Sequence, residues 1–172
     1  ARLLDQGDDP TDEAAAAFAA ESLEISDLQR SDLRLQSVGQ AASVIAALPS
    51  VRAALLRMQR RFAAKPPGAV IDGRDIGTVV CPDADVKLFV TAGLDVRAKR
   101  RFDELVGRGQ SPVLAEITAE IAERDKRDME RETAPLRQAE DAILLDTSEL
   151  DADQALVAAL KIVEQQLKAP AK

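Results

Sequence analysis

Histidine, tryptophan and tyrosine are missing from these 172 residues, and cysteine occurs once. Without histidine there is no His-based triad, no histidine general base and no His-ligated zinc. The single cysteine, Cys81, permits neither an intramolecular disulfide nor a cysteine metal cluster. No base stands near it in sequence to activate the thiol, so it reads as a small buried or loop residue. Aromatic residues make up 2% of the chain, too few for a platform that stacks single-stranded bases. No run approaches ~18 consecutive apolar residues. A signal-peptide pattern is lacking too, so a cytoplasmic protein without a membrane partner is expected. Positive charge is also scarce: a formal net charge of -7 disfavours nucleic acid as a partner.

Apolar residues supply 46% of the chain and charged residues 31%, an ordinary balance for a folded protein. The length suits one domain, or a core with a small inserted lobe. The available chemistry is that of Arg, Lys, Asp, Glu, Ser, Thr, backbone amides and a bound metal ion. Phosphoryl transfer fits that inventory, because it needs positioning and charge neutralisation more than a nucleophilic side chain.

Helical signals open at Pro10-Thr11-Asp12-Glu13, where acids sit in the first turn of an alanine-rich helix running to about Leu23. Leu28, Leu33 and Leu35 hint at short strands within residues 24–37. Helices are expected over 38–47 and 51–63, the second ended by Lys65-Pro66-Pro67-Gly68. Residues 69–72, 86–90 and 142–146 read as buried strands. Helices are expected over 95–106, 113–132 and 151–167, and residues 169–172 read as a tail. Strands alternating with helices imply a parallel α/β sheet.

Four segments stand out as candidate chemistry. In Asp72-Gly73-Arg74-Asp75-Ile76-Gly77, an apolar run ends in a glycine-bounded loop that sets a cation beside a carboxylate. An Arg fork suits a phosphate, and a carboxylate suits an amino donor on a base or sugar. A nucleoside monophosphate offers both. Asp72 either holds a magnesium-bound water or caps the following turn. Arg124, Asp128 and Arg131 share one helix face at i, i+4 and i+7. They form either a phosphate and sugar site or a row of solvated ion pairs. Arg97, Arg100 and Arg101 share another face, before a glycine-rich tip at 107–112. Two charged helices joined by such a tip make either a lid over a phosphate chain or a plain surface arm. Ser43 and Arg52 flank the break at Pro49, and taken singly each reads equally well as a packing or surface residue.

Taken together, Ala-Ala-Ser-x-x-Ala-Ala-x-Pro-x-Val-Arg at 41–52, Asp-Gly-Arg-Asp-x-Gly-Thr-Val-Val at 72–80 and Glu-Arg-Asp-x-Arg-Asp-x-x-Arg with Ala-Pro-Leu at 123–136 resemble the bacterial cytidylate kinase family. Those enzymes are nucleoside monophosphate kinases that phosphorylate CMP and dCMP with ATP. The resemblance runs from Ala1 to about Leu160. It implies a P-loop-kinase-like parallel sheet flanked by helices, with a monophosphate-binding lobe over 24–63 and lid arms over 95–131 in a single domain. It also implies that Ser43, Arg52 and Asp75 read the cytosine. By the same likeness Arg74, Arg124 and Arg131 hold the CMP phosphate and act in transfer, and Asp128 holds the ribose hydroxyls. Arg97, Arg100 and Arg101 would lie over the ATP phosphates, with Mg2+ accompanying ATP. Members of the family usually act as monomers.

One departure matters. The family carries a Gly-x-x-x-x-Gly-Lys-Ser/Thr loop near its N-terminus, and no such pattern occurs in this sequence. Ala1-Arg2-Leu3-Leu4 enters the family pattern partway through an early helix, without the strands that precede it. The 172 residues alone are therefore expected to be inactive and poorly stable. A second departure is the short segment between about 24 and 37. The alternatives are a nucleotide-binding remnant that transfers nothing, a UMP-preferring kinase, and a helical interaction protein whose charges are solvated faces.

Overall fold

The computed structural model describes residues 2–23, 25–46 and 48–168, and they fall into two compact units, Ala1–Ile71 and Asp72–Lys172. The first unit is helical: α1 (Arg2–Gln6), α2 (Glu13–Glu21), α3 (Gln36–Ile45) and α4 (Pro49–Ala63). The carboxylate of Asp12 caps α2 by accepting from the amides of Ala14 at 2.9 Å and Ala15 at 3.1 Å. Pro49 starts α4, where a missing N–H costs nothing. Alanines at i and i+4, Ala16 and Ala20, let α2 and α4 approach closely over Val51 and Ala54. Leu3 completes this core, with Ile45, Leu48 and Leu55 packed against it.

Residues 24–37 depart from the strand hint. The described part forms two single-turn 3-10 helices, Ile25–Gln29 and Ser31–Arg34. A local ion pair explains the turn: Arg30 places its Nε 2.9 Å from Asp32 and another nitrogen 2.6 Å from Asp5. Leu33 and Leu35 stay exposed, with no sheet to enter. Asp32 first, and Asp5 with it, hold the Arg30 guanidinium firmly in its charged form.

The second unit contains β1 (Leu88–Thr91), α5 (Leu94–Gly107), α6 (Leu114–Glu130), β2 (Ile143–Asp146) and α7 (Ala152–Lys168). The strands are parallel, with Leu88 opposite Ile143 and Thr91 opposite Asp146. Parallel neighbours require a crossover, here the α5–α6 pair. This is a parallel sheet with helices beside it, as expected for a P-loop-kinase-like α/β fold. Beyond β2 the ladder continues through the amide of Thr147, which donates to the Thr91 carbonyl at 2.8 Å.

The strand expected over 69–72 is not formed, and Val70 is 99% exposed. A strand needs a laddered neighbour, and among the described residues β1 and β2 pair only with each other. After it, Ile76–Val80 forms a single π-helical turn. The Asp75 carbonyl opens that turn by accepting from the amides of Val79 at 2.8 Å and Val80 at 3.2 Å. A Cβ at Gly73 would meet the Ile76 side chain at 2.9 Å, so a larger residue there would have to shift that side chain. No helix is long and apolar enough to cross a membrane among the described residues.

Candidate functional site

Two elements of the second unit bring charges together: the loop before the π-turn and the C-terminal half of α6. Arg74 extends its Nε to 3.0 Å from Asp128 Oδ2. Arg124, one turn before Asp128, approaches the same oxygen at 4.0 Å. That oxygen is buried, and no described group donates a hydrogen bond to it. Its compensation is ionic. Arg131 sets a guanidinium nitrogen 3.7 Å from Asp75 Oδ1, with both side chains mostly buried. Three arginines around two carboxylates leave one net positive charge, which suits an anion that the arginines can grip without dispersing. The face predicted at i, i+4 and i+7 is thus joined to the Arg74–Asp75 loop. Spacing along the chain offered no link between them; only the family resemblance had grouped Arg74 with Arg124 and Arg131.

The loop that returns from α6 fixes this face. Arg131 donates from Nε to the Ala134 carbonyl at 2.6 Å. The amide of Leu136 donates to the Asp128 carbonyl at 2.8 Å. Pairing and the return loop together account for all five residues of the second-unit cluster.

The arginines of the basic helix α5 bond to protein groups. Arg97 donates to the Ala92 carbonyl at 2.9 Å and pairs with Asp125 of α6 at 2.6 Å. Arg100 donates to Thr147 Oγ1 at 3.2 Å and to the carbonyls of Thr147 and Leu150 at 2.5 and 2.9 Å. Arg101 pairs with Glu104 at 2.7 Å. Each is thus spent on protein partners. The spacing that put them on one face carried no information about the acceptors near it. Asp125 is a residue that sequence reasoning missed, and its only signal was a carboxylate on the inner side of a charged helix.

At the carboxyl ends of the strands a second network was missed. Ser148 donates its hydroxyl to Asp146 Oδ1 at 2.6 Å and accepts from the Gly93 amide at 2.9 Å. The Ser148 hydroxyl, and its amide with it, hold the Asp146 carboxyl below its ordinary 3.8. The polar trio Asp146-Thr147-Ser148 directly after an apolar run was the available signal.

In the first unit Arg52 is half-buried near the start of α4 and donates to the Ala46 carbonyl at 3.4 Å. Ser43 lies on α3, and its side chain is outside the described residues. Asp72 is exposed and belongs to no cluster of three potential metal ligands among the described residues.

A family model described as Cytidylate kinase matches residues 11–165. A relative named Cytidylate kinase from Rhodopseudomonas palustris is 56% identical over 162 residues, covering 94% of this chain and 76% of the relative. One from Methylocella silvestris is 54% identical, covering 94% and 75%. Another from Paramagnetospirillum magneticum is 55% identical over 165 residues, covering 94% and 78%.

Proposed function

The chain belongs to the cytidylate kinase family, and from that premise we propose that it serves phosphoryl transfer from ATP to CMP or dCMP, giving CDP or dCDP and ADP. The observation that carries this reading is the cluster of Arg74, Arg124 and Arg131 around Asp128 and Asp75. A nucleoside monophosphate presents an anion, a pair of hydroxyls and a base edge. The three arginines match the anion, and the carboxylate of Asp128 matches a hydroxyl. Asp75 matches the exocyclic amino group that cytosine has and uracil lacks. Ser43 and Arg52 are proposed as base contacts on the strength of their motif alone. Residues 24–63 are read as the monophosphate lobe and 95–131 as lid arms.

The transfer is direct. A phosphate oxygen of CMP attacks the γ-phosphorus of ATP as the bond to the β-phosphate oxygen breaks, and ADP leaves. The attacking oxygen is already anionic, so no general base is required and the lack of histidine is immaterial. The arginines hold two polyanions in contact and offset the charge spread over the transferring group. Mg2+ enters with ATP as part of the donor, and no step here depends on a protein-held ion. We place the protein in the cytoplasm, acting as a single chain on small molecules.

The sequence has no Gly-x-x-x-x-Gly-Lys-Ser/Thr pattern, so the 172 residues alone are proposed to bind CMP without turning over ATP. Phosphorus NMR of ATP mixed with CMP, UMP or AMP tests this. The chain alone should give no CDP. The chain preceded by a relative's glycine-rich loop segment should give CDP and ADP from CMP in preference to the others. No transfer from the extended chain contradicts the kinase reading. CDP formed by the chain alone contradicts only the proposal of inactivity.

A further inference from the structure

The Ala-Pro-Leu segment after α6 is singled out by its pattern, yet none of its side chains enters the site described above. Its backbone is unusual. Ala134 has φ of 50°, and it is the one non-glycine residue with positive φ among the described residues. An L side chain occupies that left-handed conformation only when its surroundings impose it. In this conformation the Ala134 carbonyl turns back toward α6 and accepts from Arg131 Nε at 2.6 Å. The same return brings the Leu136 amide to the Asp128 carbonyl at 2.8 Å, so the loop is tied at both ends to site residues. Holding Nε fixes the plane of the guanidinium and sets one of its other nitrogens 3.7 Å from Asp75.

We infer that Ala134 is a positioning residue: its left-handed backbone sets the fork of Arg131 for the monophosphate's phosphate. Alanine is suited to this, because its Cβ is the smallest that still restricts the loop. A β-branched residue is excluded from the conformation, whereas glycine enters it freely. The inference rests on the reading of Arg131 as a phosphate ligand.

Calorimetric titration of the 172-residue chain with CMP and with cytidine, which lacks the phosphate, tests it. Ala134→Gly should bind CMP within about twofold of the unmodified chain, since the conformation survives. Ala134→Val should bind CMP about tenfold more weakly, the size of one lost charge-assisted hydrogen bond, with cytidine affinity unchanged. Equal losses for CMP and cytidine, or no loss for either, overturn the inference. Arg131→Gln serves as the reference. If it leaves CMP affinity intact, or if the unmodified chain binds no CMP, the underlying reading fails and the inference with it. Loss in Arg131→Gln beside an unaffected Ala134→Val overturns the inference alone. Should Ala134→Val fail to fold, proton exchange in the unmodified chain decides. The Nε–H of Arg131 should exchange at least about tenfold more slowly than that of exposed Arg124, and equal rates overturn the inference.

Discussion

On the proposed function, Asp75 is the carboxylate that distinguishes cytosine from uracil. Asp75 stands beside Arg131, with its side chain largely buried, and it can only accept hydrogen bonds when ionised. Cytosine offers an amino donor there and uracil a carbonyl. Asp75→Asn places a donor in the same volume, so the preference for CMP over UMP should narrow by about tenfold. Comparative titration with the two nucleotides checks this, and an unchanged ratio removes Asp75 from base reading. Residue identities were the most legible part of the chain. Arg124, Asp128 and Arg131 are spaced for one helix face, and any helix of ordinary pitch places them so. Arg100 was not legible, because the three acceptors it bonds belong to a turn some fifty residues away. Spacing along one helix says which side chains are neighbours and nothing about what else approaches them.

At the scale of elements, helices were read within a few residues of their observed bounds. Their caps and periodicity are local, as Asp12 before α2 and Pro49 at the start of α4 illustrate. Strands were less secure, because pairing is non-local. Residues 143–146 pair with β1 and form a strand, whereas the equally apolar 69–72 do not. Packing of α2 on α4 depends on small side chains. Ala16→Leu should destabilise the first unit by about 1–3 kcal/mol, while Ala14→Leu on the exposed side should be near neutral. Thermal melts of both variants compare them directly. The network after β2 sets a pH dependence. Asp146 has a lower pKa folded than unfolded, so its contribution is complete above the unfolded value and fades as pH falls through the folded one. Stability should therefore decline on acidification from the ordinary carboxylate value of 3.8 downward. Ser148→Ala should flatten that decline, and an identical acid profile in this variant would dismiss the pairing as its source.

For the molecule as a whole, apolar surface is the prominent feature of the second unit. Val90 and Leu144 on the two strands are exposed, as are Leu156, Val157, Leu160 and Leu167 along α7. Isolated exposed residues are ordinary, but adjacent strands and one helix carrying several are not. The 172-residue chain should bind an apolar dye such as ANS and melt over a broad range. A sharp melt without dye binding would contradict the expected low stability. Fold class was legible at this scale from strand and helix alternation, and the family from three motifs in order. The meeting of the Arg74–Asp75 loop with α6 was implied by the resemblance but not by any local pattern, because it depends on a π-turn and a left-handed alanine.

On the proposed function, the loop at Arg74–Asp75 and the end of α6 form one monophosphate site. Backbone amide NMR of the chain during titration with CMP tests it most directly. Shift changes should concentrate on residues 74–76 and 124–136 and saturate together with one affinity. Changes elsewhere in the second unit with those two segments silent would contradict the account.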